Sequence, residues 1–244
     1  MTFASILLLG FVLGMRHATD ADHVVAVTTI VSRERSLRNA AFIGALWGLG
    51  HSITLFLVGG ALVLFRLTIP PHVGLGMEMV VAIMLIVLGA MNVTNAMRRI
   101  EEAAGGRKSS PDHAHGHEHA HEHRILKGAS LMQLGRALVV GIVHGLAGSA
   151  ALALLVLTTI RKAGSALAYL VIFGVGTIFG MMFLTMAMAV PMAIAANRFA
   201  QVGRVERAMA RATGLLSILF GGYLAYRIGV VDGLFSMHPQ WSPE

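Results

Sequence analysis

The sequence predicts an all-α polytopic membrane protein with six transmembrane helices arranged as a 3+3 inverted repeat. Of its 244 residues, 56% are hydrophobic and 13% are charged, about half the charged fraction of an average soluble domain. The two halves of the chain also resemble each other. Apolar stretches long enough to cross a bilayer recur at about residues 3–31, 39–65, 73–97, 133–160, 164–196 and 209–231.

The first span contains the segment GMRHATDADHVV, in which Arg16 and four candidate ligands interrupt an apolar run: His17, Asp20, Asp22 and His23. Charged side chains at the centre of a lipid-facing helix cost about 2.5 to 3.5 kcal/mol each, so this cluster is expected to face a polar interior. On a regular helix, Asp22 points away from the other three. We therefore expect the first helix to be bent or broken between Gly14 and Asp22. The alternative is that Asp22 contacts one of the ligands rather than the metal ion.

The residue types in this cluster indicate a transition-metal site. Two imidazoles with carboxylates suit Ni²⁺, Co²⁺ or Zn²⁺, whereas Mg²⁺ and Ca²⁺ prefer oxygen ligands alone. The chain has no cysteine, which excludes disulfides, thiolate metal sites and dithiol electron carriers. The alternative interpretation is a buried ion pair of Arg16 with Asp20 or Asp22, which leaves both histidines without a role.

The second span contributes His51, which lies in the segment GLGHS. Its neighbouring glycines permit close helix approach, and His51 is either a further ligand or a core histidine with satisfied hydrogen bonds. Asn92 and Asn95 in the third span are either metal ligands or partners in hydrogen bonds between helices, and the second interpretation is favoured. In the fourth span, the small residues around His144 favour helix packing over metal binding.

A repeat relates the first three spans to the last three. His51 follows His17 by 34 residues and Thr177 follows His144 by 33, and pairs of glycines precede both second positions. Because each half has an odd number of spans, the halves must insert in opposite orientations, which places a site near the membrane midplane. His144 and Thr177 are therefore weaker candidate ligands.

The basic residues of the connections predict the orientation. Fourteen lysines and arginines lie in the loops after spans one, three and five, against four on the other side. The positive-inside rule then places these loops in the cytoplasm and both termini outside a cell (inner) membrane. The predicted regions are a first repeat at 1–97, a cytoplasmic loop at 98–132, a second repeat at 133–231 and an extracytoplasmic tail at 232–244.

The cytoplasmic loop is expected to be mobile, and its segment DHAHGHEHAHEH contains six alternating histidines. Such a tract binds transition metals through interchangeable ligand sets, so it stores or senses metal better than it selects it. A chance low-complexity insertion and a pH-sensitive tether are the alternatives. The histidines are His113, His115, His117, His119, His121 and His123.

Three motifs, in order along the chain, resemble the nickel/cobalt transporter family. RHATDADHVVAV is similar to its first signature and GLGHS to its second, and HGLAGSAAL is similar to a segment of its shorter UreH-like branch, often associated with urease maturation. The resemblance implies a carrier of Ni²⁺ or Co²⁺ whose selective site comprises His17, Asp20, Asp22, His23 and His51. Six spans rather than eight, and the histidine tract, distinguish this chain from longer members.

We therefore expect a secondary transporter of Ni²⁺ or Co²⁺ rather than an enzyme, with no organic cofactor. Uptake is favoured and efflux by the same site is the alternative. The partners expected are the metal ion, the bilayer, and a cytosolic nickel chaperone or urease maturation proteins. The net charge of +7 is attributed to basic loops that orient the protein in the membrane. Nucleic acid is not expected as a partner. The more distant alternatives are a haem-binding electron-transfer subunit, which needs facing histidines, and an anion exporter that binds through Arg16.

Overall fold

The computed structural model describes residues 3–67, 69–94, 131–160, 162–198, 202–236 and 239–241. The six loop histidines and Asn95 lie outside these residues. The described residues form seven α-helices and one π-helical turn at Arg227–Val231, with no β-strand among them. The helices are α1 (Phe3–His17), α2 (Ala21–Val31), α3 (Leu37–Phe65), α4 (Pro71–Val93), α5 (Leu131–Thr159), α6 (Ala163–Arg198) and α7 (Val202–Tyr226).

The helices confirm a polytopic membrane protein. Four segments are long and apolar enough to cross a membrane, namely Leu37–Phe65, Pro71–Val93, Ala163–Ala195 and Gly203–Val231. Large apolar side chains also cover the outside of the bundle: Leu57 is 64% exposed, Phe183 53% and Leu219 63%. Such an outer surface is suited to lipid and would be unfavourable in water.

The first span is broken, as predicted. Helix α1 ends at His17 and α2 begins at Ala21, and Asp20 between them has an extended backbone with φ −61° and ψ 150°. The Thr19 hydroxyl donates to the Arg16 carbonyl at 2.6 Å, a local hydrogen bond of the kind that competes with helix continuation. The side-chain directions expected on a regular helix are therefore wrong, because His17 and His23 belong to different helices.

Glycines set the closest helix crossings, which also gives Gly14 a role other than the break. Helix α1 packs on α6, and α3 packs on both α5 and α6. At all three of these crossings a glycine lies directly on the backbone of the facing helix, where a Cβ atom would overlap it, and at the α3–α6 crossing this is Gly44 on Met181. Gly14 lies on Phe173 and Thr177, and Gly141 lies on Trp47 and His51.

Asn92 joins three helices, which confirms its predicted hydrogen bonding between helices. Its buried side-chain amide donates to the Thr29 carbonyl and to the Ser32 hydroxyl, both at 3.1 Å, and lies 3.3 Å from the Thr213 hydroxyl. These partners fix the C-terminal end of α2 against α4 and α7, and so fix the helix that carries Asp22 and His23.

We expect Asn92→Leu to lower the free energy of unfolding by about 1 to 3 kcal/mol, because buried acceptors lose their donor. Thr94→Ala is the matched control, since the exposed Thr94 hydroxyl bonds only within its own helix and surface changes are usually within about 0.5 kcal/mol. Thermal unfolding of both variants in detergent measures the difference. Equal unfolding midpoints would contradict the bridging role of Asn92.

Candidate metal site

Four histidines meet where four helices come together. His17 is the last residue of α1, His23 lies in the first turn of α2, His51 is at the centre of α3, and His144 lies near the centre of α5. His23, His51 and His144 are at most 2% exposed, and the His17 side chain is 17% exposed. The break in the first span makes this possible, because it turns His17 and His23 towards one point from two helix ends.

His17, His23 and His51 form the first candidate ligand set. Each offers one ring nitrogen, and the three nitrogens lie within 4.8 Å of one another. The Nε2 atoms of His17 and His51 are 3.2 Å apart. Two nitrogens bound to one tetrahedral ion at 2.0 to 2.1 Å would lie about 3.3 Å apart. The spacing therefore fits a shared metal ion.

Carboxylates orient two of these rings. Asp20 Oδ2 lies 2.7 Å from His17 Nδ1, so Nδ1–H donates to Asp20 and the Nε2 lone pair faces His51. Asp22 Oδ1 lies 3.0 Å from His23 Nδ1, and His23 Nε2 is buried without a hydrogen-bond partner among the described residues. A carboxylate behind a histidine fixes the ring and raises its basicity as a metal ligand.

Asp22, His23 and His144 form a second candidate ligand set, with one atom of each again within 4.8 Å of the others. The two oxygens of Asp22 divide between the two rings, since Oδ2 lies 2.9 Å from His144 Nε2 while Oδ1 faces His23. The ring centroids of His23 and His144 are 4.1 Å apart. His23 is common to both sets.

Two aromatic side chains that the sequence did not single out border the histidines. The fully buried Trp47 ring lies 5.8 Å from the His23 ring and 5.7 Å from the His144 ring. The Phe173 ring lies 5.5 Å from that of His17. The position of Trp47 beside the histidines could have been predicted from its spacing, because a residue four positions before His51 lies on the same face of α3.

A polar cavity of about 180 Å³ opens at one end of the bundle. Its lining comes from the last turn of α2 and the connection after it, the last two turns of α4 and the first turns of α5 and α7, and includes Ser32, Arg33, Glu34, Asn92, Arg136 and Glu206. Ile43 of α3 also lines it. Ile43, Trp47 and His51 follow one another on a single face of α3, so Trp47 lies between the cavity and the histidines.

The other candidate residues lie apart from the ligand sets. Asp20 is half exposed and contacts His17 on the side away from His51. The Thr177 hydroxyl donates to the carbonyl of Phe173, one turn earlier in α6. Arg16 is exposed, and the carboxylates of Asp20 and Asp22 face histidines, so the alternative of a buried Arg16 ion pair is wrong. His144, assigned mainly to packing from sequence, lies at the centre of the cluster.

Comparison with known proteins agrees with the three motifs that resemble the nickel/cobalt transporter family. A family model described as "High-affinity nickel-transport protein" matches residues 3–221. The chain is also 34% identical, over 233 residues, to the urease accessory protein UreH of Bacillus sp. (strain TB-90), and the match covers 96% of each chain. No solved structure matches the chain. The resemblance drawn from the three motifs is confirmed, and the chain is a transport protein rather than an enzyme. It belongs to the NicO family of high-affinity nickel-transport proteins.

Proposed function

We propose that the chain carries Ni²⁺ across the cell membrane and binds the ion at His17, His23 and His51 during passage. The observation that carries the proposal is the convergence of three imidazoles from three helices in the buried centre of the bundle. Imidazole nitrogen suits Co²⁺ as well as Ni²⁺, so Co²⁺ is the second substrate expected. His51 lies 14 residues from either end of α3, about 21 Å along the axis, which suits a midplane site.

We further propose that residues 1–97 and 133–231 are inverted repeats of three spans. Reciprocal contacts support this. Gly14 lies on the backbone of Phe173 and Thr177 as Gly141 lies on that of Trp47 and His51. Likewise, Gly50 lies on the carbonyl of Leu138 and Gly176 on that of Phe11. Residues of the first span correspond to residues 127 positions later, and residues of the second span to residues 126 positions later. With this correspondence, each contact becomes the other contact of its pair. A twofold axis produces this relation, and an odd number of spans in each half places that axis in the membrane plane.

The polar cavity is the proposed cytoplasmic vestibule. It lies at the end of the bundle that the positive-inside rule assigns to the cytoplasm, with residues 98–132 as a loop and 232–244 as a tail on opposite sides. Trp47 and Ile43 separate the cavity from the histidines. We propose that movement of these two side chains connects the site to the cavity.

The proposed direction is uptake, with delivery of Ni²⁺ to the histidine tract at 113–123 and from there to a cytosolic chaperone or to urease maturation proteins. The name of the relative, a urease accessory protein, supports this partner class. Efflux through the same site is the alternative. Reconstituted protein of known orientation distinguishes the two, because the side from which Ni²⁺ is accepted at low concentration gives the direction.

Uptake of Ni²⁺ into proteoliposomes tests the proposal. We expect His17→Ala and His51→Ala to lower the rate at least about 100-fold, since loss of an outer-shell partner alone costs 10- to 100-fold at metal sites. His72→Ala is the matched control, because His72 is an exposed histidine of α4 outside both ligand sets, and we expect it to transport like the parent. Parent-like rates for His17→Ala and His51→Ala would show that this site does not carry the ion.

A further inference from the structure

The two ligand sets differ in chemistry although they share His23. The first set, His17, His23 and His51, offers three neutral nitrogens. The second offers two nitrogens and the carboxylate of Asp22, so it carries a formal negative charge and a harder oxygen ligand. A dication therefore meets two unlike environments within a few ångströms of each other.

Sharing His23 prevents both sets from being complete at once. A neutral imidazole has one unprotonated ring nitrogen and carries a proton on the other. His23 Nδ1 faces Asp22 at 3.0 Å, and Nε2 is buried without a hydrogen-bond partner among the described residues. One nitrogen is thus available to the first set while the other is held by Asp22, so His23 can complete one set at a time.

The second set is the one that Trp47 borders. The Trp47 ring is close to His23 and His144, and Trp47 lies one turn of α3 nearer to the polar cavity than His51 does. An ion in the second set would therefore be separated from the cavity by Trp47. Before an ion enters, Asp22 is hydrogen-bonded to both rings of that set, which keeps its carboxylate satisfied.

We infer that the ion occupies the two sets in turn, passing from His17, His23 and His51 to Asp22, His23 and His144 on its way to the cavity. This rests on the proposed function and adds to it a second binding position with His144 as a ligand. During the transfer the ion changes from Nε2 of the shared His23 ring to Nδ1, and the ring proton moves from Nδ1 to Nε2. The first position binds the ion and the second passes it towards the cavity. A mutation in one set should therefore change one of these two steps and leave the other.

The reciprocal variants His51→Asn and His144→Asn separate these steps. Asparagine at 144 retains an N–H donor for Asp22 but has no imidazole nitrogen. We expect His144→Asn to bind one Ni²⁺ in the buried site with affinity within about tenfold of the parent, because the first set is intact. It should transport at least about 50-fold more slowly, since even loss of an outer-shell partner costs 10- to 100-fold at metal sites and His144 is proposed as a ligand. His51→Asn should lose transport as well and retain Ni²⁺ only in the second set.

Each full-length variant, and the parent, also carries alanine at the six tract histidines, so that only buried nickel is measured. Equilibrium dialysis with Ni²⁺ then gives the stoichiometry, and X-ray absorption of the bound nickel gives the ligands. The expected spectra show three imidazoles in His144→Asn, but two imidazoles with additional oxygen in His51→Asn. Thermal unfolding of the metal-free variants establishes that each is folded, and His144→Gln replaces His144→Asn if the latter is not. His51→Asn/His144→Asn is expected to bind at least about 100-fold more weakly than either single variant.

Parent-like transport by His144→Asn would overturn the two-position sequence. So would loss of Ni²⁺ binding in a folded His144→Asn, since that result describes a single four-residue site. Failure of the proposed function gives a different pattern, namely no Ni²⁺ transport by the parent protein, whatever the variants bind. His72→Ala again serves as the control for loss of a histidine outside both sets.

Discussion

Gly141→Ala is expected to lower the free energy of unfolding by about 3 kcal/mol or more, the upper end of the cost of overpacking. The added Cβ would overlap the carbonyl oxygen of Trp47, and it would lie 2.7 Å from Trp47 Cδ1 and 3.0 Å from the His51 amide nitrogen. Two of these atoms belong to the backbone of α3, so rotation of a side chain cannot relieve the overlap. The helices must separate, and α3 carries His51.

The measurement is the midpoint of thermal unfolding in detergent, together with the yield of monodisperse protein. Gly76→Ala and Gly222→Ala are matched controls, because each introduces the same methyl group into a helix where no atom lies within 4 Å of it. Alanine favours helix over glycine by about 1 kcal/mol, so these two variants should be as stable as the parent or more stable. Equal destabilisation of all three variants would contradict the close crossing.

Gly14→Ala extends this prediction to the other half of the chain. Its Cβ would overlap the Phe173 carbonyl and lie 3.0 Å from the Thr177 amide nitrogen. If the halves are inverted repeats, Gly14→Ala and Gly141→Ala should lower the unfolding midpoint by similar amounts, since the two contacts are equivalent. A tolerated Gly14→Ala beside a severely destabilised Gly141→Ala would argue against the repeat.

The membrane class and the break in the first span could be predicted because both follow from local sequence. A run of apolar residues long enough for a bilayer identifies a span without knowledge of its neighbours, and ionisable residues within a span are unfavourable unless they face one another or a polar interior. The location of the break was less well determined. Gly14 was the visible signal, but the helix ends at His17, where Thr19 and Asp20 make hydrogen bonds to the preceding turn.

The grouping of the ligands could not be predicted because it depends on the crossing of distant helices. His144 and Asp22 are 122 residues apart, yet their side chains lie within 2.9 Å. The same small residues that permit this contact made His144 resemble an ordinary packing residue. On a regular helix, Asp20 would lie on the same side as His17 and His23. In the broken helix, Asp20 contacts the His17 ring on the side away from His51.

His23→Ala is expected to abolish high-affinity Ni²⁺ binding, the largest functional effect of any single ligand change, because both ligand sets contain His23. Loss of His17 or His51 leaves the second set, and loss of His144 leaves the first. Ligands that bind only the folded protein raise its stability by about 2.7 kcal/mol at 100 times the dissociation constant. The measurement is therefore the rise in unfolding midpoint caused by Ni²⁺, which the parent should show and His23→Ala should not.

The control for this prediction is the metal-free unfolding midpoint, since His23 is buried and bonded to Asp22. His23→Gln serves as a second variant with a longer polar side chain, should alanine leave a cavity that prevents folding. A folded His23 variant whose midpoint rises with Ni²⁺ as much as that of the parent would place the ion elsewhere. A smaller rise in His144→Asn or His51→Asn than in His23→Ala would likewise contradict a shared ligand, because the single-set variants must retain more of the site than His23→Ala does.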